Sequence, residues 1–312
     1  MNSRRYPDLR VKIGRLTLKS PVIVASGTFG FGEEFEDFFD LNVLGAIIPK
    51  GISLRPMMGN PAPRIFETEG GILNSIGLQN PGFQRFVEHR LPYYKNLKTP
   101  LIVNIFGNSP REYIELARRF DEVPGVSGLE MNISCPNVEK GGMVFGCDPL
   151  LAHHLVRKVR KSTKLTLLVK LSPNVTDIAS IAQRVEEAGA DAVSLVNTFR
   201  AMGVNIHSRK PELGNVLGGL SGPAIKPIAL RMVWETYQRV KIPIIGMGGI
   251  MKAEDAIEFM LVGASAVQIG TVNLINPQAG KEIIDGIRQY LLRNKIDRVR
   301  KLTGLFRPPL PA

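Results

Sequence analysis

Apolar residues in this chain come in short continuous runs, and between the runs they recur at helical spacing. Val11-Lys-Ile and Leu16-Thr-Leu alternate about Gly14-Arg15 and predict a hairpin. The apolar runs over 21–25 and 45–50 predict two buried strands, and 81–94 reads as a helix. From residue 101 the alternation becomes regular. Strands are predicted over 101–105, 129–133, 165–170, 192–196, 243–246 and 266–269. Helices are predicted over 110–120, 149–161, 177–188, 224–240, 253–262 and 277–294. Pro110 suits a first helical turn, Gly189 suits a C-terminal cap, and 124–128 reads as a turn. Two long stretches, 53–80 and 197–222, hold no sustained period and are expected to be functional loops or a small excursion.

Eight apolar strands alternating with helices imply a parallel sheet covered by helices on its outer face. An α/β fold closed into a (β/α)8 TIM barrel, with an N-terminal hairpin and long active-site loops, fits this count and length best. An open doubly wound sheet is the competing arrangement. The chain reads as a single domain over 1–312, with a basic, proline-rich tail from 295 to 312.

In a barrel, chemistry gathers at the C-terminal ends of the strands. Those ends are polar here: Ser26-Gly27, Lys50-Gly51, Asn104, Asn132 with Cys135, Lys170, Asn197-Thr198, Gly248-Gly249 and Gly270-Thr271. Asn and Gly also favour turns, but amides or lysines at so many strand ends predict a polar pocket. In the run Glu130-Met-Asn-Ile-Ser-Cys135-Pro-Asn137, a thiol and two amides end one strand. Taken alone, Cys135 is more simply a buried structural cysteine; the polar strand ends around it favour an acid/base role. The glycine-rich loops after the last two strands each precede a helix, the arrangement that binds phosphate. Lys50 and Lys170 sit on otherwise apolar strands, so an anionic group is expected to meet each.

Composition narrows the picture in three ways. Two cysteines among 312 residues leave no disulfide framework and suit a reducing cytoplasm. The basic start of the chain has no apolar core after it, and no long apolar stretch goes unbroken by charge, so neither a secretory signal nor a membrane span is expected. The net charge of +12 is densest over 293–301, where apolar residues recur at helical spacing. That run predicts the solvated face of a terminal helix, since no aromatic interleaving or nucleic-acid module accompanies it. His89, His153, His154 and His207 show no metal-ligand pattern, and no metal site is expected.

Five motifs in order carry a family resemblance: Asn74-Ser-Ile-Gly-Leu-Gln-Asn-Pro-Gly82, Asn132-Ile-Ser-Cys-Pro-Asn137, Leu220-Ser-Gly-Pro-Ala-Ile-Lys-Pro227, Ile244-Ile-Gly-Met-Gly-Gly-Ile250 and Ala264-Ser-Ala-Val-Gln-Ile-Gly-Thr271. Together they resemble the dihydroorotate dehydrogenases, over about residues 9–291, and most closely the NAD-linked class 1B catalytic subunits. The resemblance implies a barrel holding FMN across its C-terminal face, with dihydroorotate stacked on the flavin and oxidised to orotate in pyrimidine biosynthesis. By the same resemblance Cys135 is the base that takes the proton from C5 while hydride leaves C6 for flavin N5. Lys50, Asn74, Ser75, Ile76, Gly77, Leu78, Asn132, Asn137, Asn197 and Thr198 match substrate contacts. Ser26, Lys50, Gly51, Asn104, Asn132, Lys170, Val196, Gly222, Gly248, Gly249, Gly270 and Thr271 match flavin contacts.

The class 1B resemblance also implies a homodimer assembled into a heterotetramer with a subunit carrying FAD and a [2Fe–2S] cluster. A fumarate-reducing class 1A enzyme and a dihydropyrimidine dehydrogenase-like flavin module are the alternatives within flavin chemistry. Outside it stand a flavin-free phosphate-binding barrel isomerase or synthase and a catalytically silent scaffold.

Overall fold

The computed structural model describes residues 6–134 and 145–309. Eight parallel strands close into a barrel: β1 (Val22–Val24), β2 (Ala46–Ile47), β3 (Leu101–Ile105), β4 (Val126–Asn132), β5 (Thr166–Lys170), β6 (Ala192–Leu195), β7 (Ile244–Met247) and β8 (Ala266–Ile269). They pair in chain order, and β8 closes on β1 through Gln268↔Ile23 and its neighbours. The open-sheet alternative is thereby excluded. Every position of β1, β3, β5, β6, β7 and β8 is buried, because one face meets the barrel interior and the other meets helices. Ile47 and Val103 inside the core, with Phe120 and Phe259 from the helical layer, belong to one continuous apolar cluster.

The outer helices start where side chains satisfy their free amides. Ser109 accepts from the Glu112 amide ahead of Pro110–Asp121, and Asp148 accepts from the Leu150 and Leu151 amides at 2.8 Å ahead of Pro149–Arg160. Asp177 does the same for Ile178–Glu187. That helix stops at Gly189, whose φ of +97° and amide bond to the Glu186 carbonyl make the expected cap.

The hairpin Val11–Ile13 with Leu16–Leu18 lies across the floor, at the N-terminal ends of the strands. Its tip packs at Asp191 and Thr166, and the Arg15 amide donates to Thr166 Oγ1. Ile13 and Leu18 are fully buried, so the hairpin seals the barrel from below.

Several expectations are corrected. The stretches 53–80 and 197–222 are not loops throughout. Ile65–Thr68, Gly71–Asn74, Gly218–Ser221 and Phe199–Ala201 form one antiparallel four-stranded sheet, and Val204–Asn205 pairs with Lys210–Pro211. Glycine hides this sheet from pattern reading: a Cβ on Gly71 would lie 1.9 Å from the Ser221 carbonyl oxygen. The pairing needs the bare backbone that erases the alternation. β4 begins at Val126, inside the expected turn. β2 is shorter than the run over 45–50, since Pro49 has no amide for the ladder. The helix over 81–94 is two, Gly82–His89 and Leu91–Tyr94. The basic run over 293–301 is not one helix. The last long helix, Ala279–Arg293, ends there, Lys295 takes φ of +55°, and a short turn at Val299–Lys301 buries Val299 and Leu302.

Candidate active site

Of the residues singled out by the sequence, those that end the barrel strands lie at its mouth. In a parallel sheet, neighbours in register point the same way. Asn132 of β4 is in register with Lys170 of β5, and Lys170 with Ser194 of β6. Ser194 reaches across the interior to Glu130, so this row faces inward.

Lys170 is 5% exposed, and among the described residues no hydrogen bond or ion pair ends on its ammonium. Burial pushes its pKa down, opposed by the field of Glu130. Lys50 is half-buried beside the mouth, its amide bonded to the Gly30 carbonyl. Its pKa is also lowered, first by desolvation and then by Arg64, with Glu34 opposing. Neither lysine meets an anion within the described residues; both remain open to one.

The amides are held in fixed orientations. Asn104 is buried and donates from Nδ2 to Glu130 Oε2 at 2.7 Å, and its Oδ1 lies where a Cβ on Gly51 would be 2.6 Å away. Asn132 Oδ1 accepts from the Ser134 amide at 3.1 Å and from Asn197 Nδ2 at 3.5 Å, while its own Nδ2 has no partner among the described residues. Asn197 Oδ1 in turn accepts from the Thr198 amide. Tyr113 donates its hydroxyl to the Asn132 carbonyl at 2.7 Å and fixes the strand end from behind.

The glycine loops form the opposite wall. Gly248 and Gly249 adopt φ of +123° and +72°, and a Cβ on Gly249 would meet the Gly222 carbonyl oxygen at 2.9 Å. Around Gly270 nothing would come nearer than 3.8 Å to a Cβ, so its backbone faces open space. Thr271 donates its hydroxyl to Ser221 Oγ at 2.9 Å. Ser26, with Gly27 at φ +95°, lies in the turn after β1, and Val196 follows β6 with its amide on the Met247 carbonyl.

The four-stranded sheet roofs the mouth on one side. Asn74 ends one of its strands and donates to the Gly219 carbonyl at 3.1 Å. The Ser75 hydroxyl is taken by Asn60 and Asn215, at 2.9 and 3.1 Å, which makes it a framework group in this structure. Ile76 accepts the Asn60 amide, and Gly77 and Leu78 both have positive φ. Cys135 and Asn137 lie outside the described residues. The chain on either side is anchored: Ser134 Oγ donates to the Lys170 carbonyl at 3.0 Å, and Gly146 packs against the Ile133 carbonyl.

Sequence reasoning passed over three interior groups. Glu130, Ser194 and Gln268 sit below the mouth, with Ser194 and Gln268 donating to Glu130 Oε1 at 2.8 and 2.6 Å. The available signal was period two: Glu130 and Asn132 alternate with Leu129 and Met131. Ser221 and Asn174, which support Thr271 and Thr198, gave no comparable signal.

The family model for dihydroorotate dehydrogenase matches residues 8–291. The chain belongs to the dihydroorotate dehydrogenase family. Among curated relatives, the "Dihydroorotate dehydrogenase B (NAD(+)), catalytic subunit" of Desulforamulus reducens is 57% identical over 297 residues, spanning 95% of this chain and 98% of the relative. The protein of the same name from Geotalea uraniireducens is 55% identical over 298 residues, or 96% and 98% of the two chains. Within the family the chain therefore sits with the class 1B catalytic subunits. A solved structure of the Eimeria tenella dihydroorotate dehydrogenase in complex with ferulenol superposes with a TM-score of 0.78. It covers 98% of this chain and 90% of that one at 24% identity, a likeness of fold alone.

Proposed function

We propose that this chain oxidises dihydroorotate to orotate in pyrimidine biosynthesis, using FMN at the barrel mouth, as the catalytic subunit of an NAD-linked enzyme. The observation that carries the reading is Lys170, a buried ammonium with no hydrogen-bond or ion-pair partner among the described residues, at the inward-facing end of β5. A buried charge of this kind is stable only beside an opposing charge or dipole.

The residues present fit FMN. The bare amides at Gly248, Gly249 and Gly270, with the hydroxyl pair Thr271–Ser221 beside them, suit a phosphate at the start of the short turn Thr271–Leu274 and of the helix Ala253–Leu261. Ser26, Gly51, Asn104, Asn132, Val196 and Gly222 line the remaining rim as flavin contacts. When bound, FMN supplies the acceptor for the hydride that leaves the substrate. Lys170 places positive charge where negative charge develops, without reorganisation at the moment of reaction.

Toward the substrate, Asn132 offers its free Nδ2, and Asn197 is locked by Thr198 to present its own amide. Lys50 supplies charge for the substrate carboxylate. Asn74 through Leu78 bound the pocket from the sheet, with Asn137 completing the amide set. Cys135 serves as the general base: as thiolate it takes the proton from the substrate carbon beside the one that loses hydride. The whole of 1–312 is read as one FMN-binding domain, with the basic, proline-rich tail from 295.

Electrons then leave through a partner. An iron–sulfur cluster takes four thiolates, or two thiolates with two histidines; this chain has only Cys135 and Cys147, and among the described residues no group of His, Cys, Asp or Glu side chains could hold a metal. We therefore assign the FAD and [2Fe–2S] groups to a second subunit, in a heterotetramer built on a homodimer of this chain. Exposed apolar side chains on the roofing segments, Met202, Val204, Ile206, Val216 and Ile65, support a covered surface there.

The test is to purify the chain with and without the electron-transfer subunit and follow dihydroorotate oxidation with NAD and with fumarate. NAD-linked turnover only in the complex is expected. Fumarate turnover by the lone chain would overturn the acceptor assignment, and a colourless protein that binds no FMN would overturn the chemistry.

A further inference from the structure

Glu130 is the least expected residue of the barrel. It is fully buried on β4, two residues before Asn132 and thus one layer below the mouth. Three donors from three other strands converge on it: Asn104 Nδ2 at Oε2, and Ser194 Oγ and Gln268 Nε2 at Oε1. Hydrogen bonds donated to both oxygens favour the carboxylate form, which can accept all three.

No cation forms an ion pair with Glu130 among the described residues. Buried charge is costly unless it is compensated. The charge placed to compensate it is Lys170: it lies on the neighbouring strand in register with Asn132, one layer above Glu130, with no ion pair between the two. Glu130 is the charged group among the described residues whose field acts on that lysine. The separation has a use: it leaves all three N–H donors of the ammonium for a ligand, where an ion pair would take at least one. The carboxylate also decides which end of Asn104 faces the mouth. An acceptor-only partner takes the Nδ2, so Oδ1 is turned to Gly51.

We propose that Glu130 is a positioning residue of the cofactor site: its carboxylate, held by Asn104, Ser194 and Gln268, is the counter-charge that keeps Lys170 protonated and unpaired beneath the flavin. The proposal rests on the FMN reading above. It adds a group that touches neither flavin nor substrate and acts on both Lys170 and Asn104.

The groups around Lys170 set the expected pH behaviour. Glu130 is its one charged neighbour among the described residues, while Asn132, Ser134 and Ser194 from the adjoining strands are neutral. Replacing the carboxylate by an amide removes the charge among the described residues that opposes desolvation of Lys170.

The experiment uses the full-length chain, with and without FMN. Side-chain NMR of labelled lysine follows the Lys170 proton, assigned with Lys170→Arg, and FMN affinity is measured across pH. In Glu130→Gln, Lys170 should lose its proton at least about tenfold more readily. FMN affinity should fall in that variant, and the fall should widen as pH rises. The double variant Glu130→Gln/Gln268→Glu, which returns a carboxylate to the same layer, should recover the Lys170 titration. In the native chain, needing no variant to fold, the Glu130 carboxylate carbon should shift at the pH where Lys170 deprotonates. An unchanged Lys170 titration in Glu130→Gln, a pH-independent loss of FMN, or a silent Glu130 carbon would each overturn the proposal. Failure of the native chain to bind FMN would instead overturn the cofactor reading, leaving the lysine titration as an independent result.

Discussion

Asp255→Asn tests how the double-glycine loop is tied to the helix behind it. The Asp255 side chain is buried at the third position of the helix Ala253–Leu261. One oxygen meets Lys226 Nζ at 2.6 Å, and the other accepts from the Met251 and Lys252 amides at 2.9 and 3.1 Å. Asparagine is nearly isosteric but has one acceptor oxygen. If that oxygen keeps the two amides, an NH2 group faces the Lys226 ammonium, which retains only Glu258 at 2.9 Å. The loss is one charge-assisted bond, about 1.5–3 kcal/mol, plus the weakening of two amide bonds from ionic to neutral, about 0.5 kcal/mol each. Partial exposure of Lys226 trims the first figure, so about 2–3 kcal/mol is expected from urea unfolding of the FMN-bound chain.

The pH dependence carries a sign. The Asp255 pKa is lowered: burial raises it, but Lys226 and the two backbone amides outweigh that. Its contribution is present above the unfolded carboxylate value of about 3.9 and is lost as pH falls through the folded one. The Lys226 pKa is raised: burial lowers it, but the Asp255 and Glu258 carboxylates prevail. Its contribution is present below the unfolded value of about 10.4 and is lost as pH rises through the folded one. The stability gap between native and variant should therefore be flat near neutrality and shrink at both extremes. A gap below about 0.5 kcal/mol, or one that persists unchanged into acid, would refute the assignment of Asp255 as the anchor.

Three further outcomes follow from the site. Cys135→Ala should retain bound FMN while losing most flavin reduction by dihydroorotate in stopped-flow absorbance; near-normal reduction would remove Cys135 from the role of base. Gly249→Ala places a Cβ 2.7 Å from Lys226 Cβ at a φ of +72°. It should weaken FMN binding by at least about tenfold, since a left-handed β-carbon alone costs about 1–2 kcal/mol, and unchanged FMN fluorescence titration would argue against the phosphate cradle. Gly219→Ala brings a Cβ within 2.1 Å of Thr198 Oγ1. It should raise the KM for dihydroorotate more than it lowers kcat, and a pure kcat effect would place Thr198 away from substrate.

The barrel was legible because its strands are buried on both faces and so appear as unbroken apolar runs, from 21–25 to 266–269. The mouth was legible because Lys50, Asn104, Asn132 and Lys170 are polar interruptions at the ends of those runs. The antiparallel sheet was not, since Gly71, Gly218 and Gly219 pair by close backbone approach and carry no alternating side chains to read. The basic run over 293–301 misled because helical spacing continues past Arg293, while the Asp8 backbone bonds to Asp297 and Val299 turn the chain out of a helix. Glu130 was visible as a charge inside a strand. Its meaning depended on Ser194 and Gln268, distant in sequence and brought together only by closure of the barrel.

The sealed floor has a practical consequence. The Asp8 amide donates to the Asp297 carbonyl, and the Val299 amide donates to the Asp8 carbonyl, at 2.8 Å each, beside the hairpin that closes the barrel from below. Both ends of the described chain thus emerge on the side away from the mouth. A linker fused to either end can fix the protein to an electrode or a bead with its cofactor face turned to solution. On such a surface, current driven by dihydroorotate with and without the electron-transfer subunit we propose would test the exit path of the electrons directly.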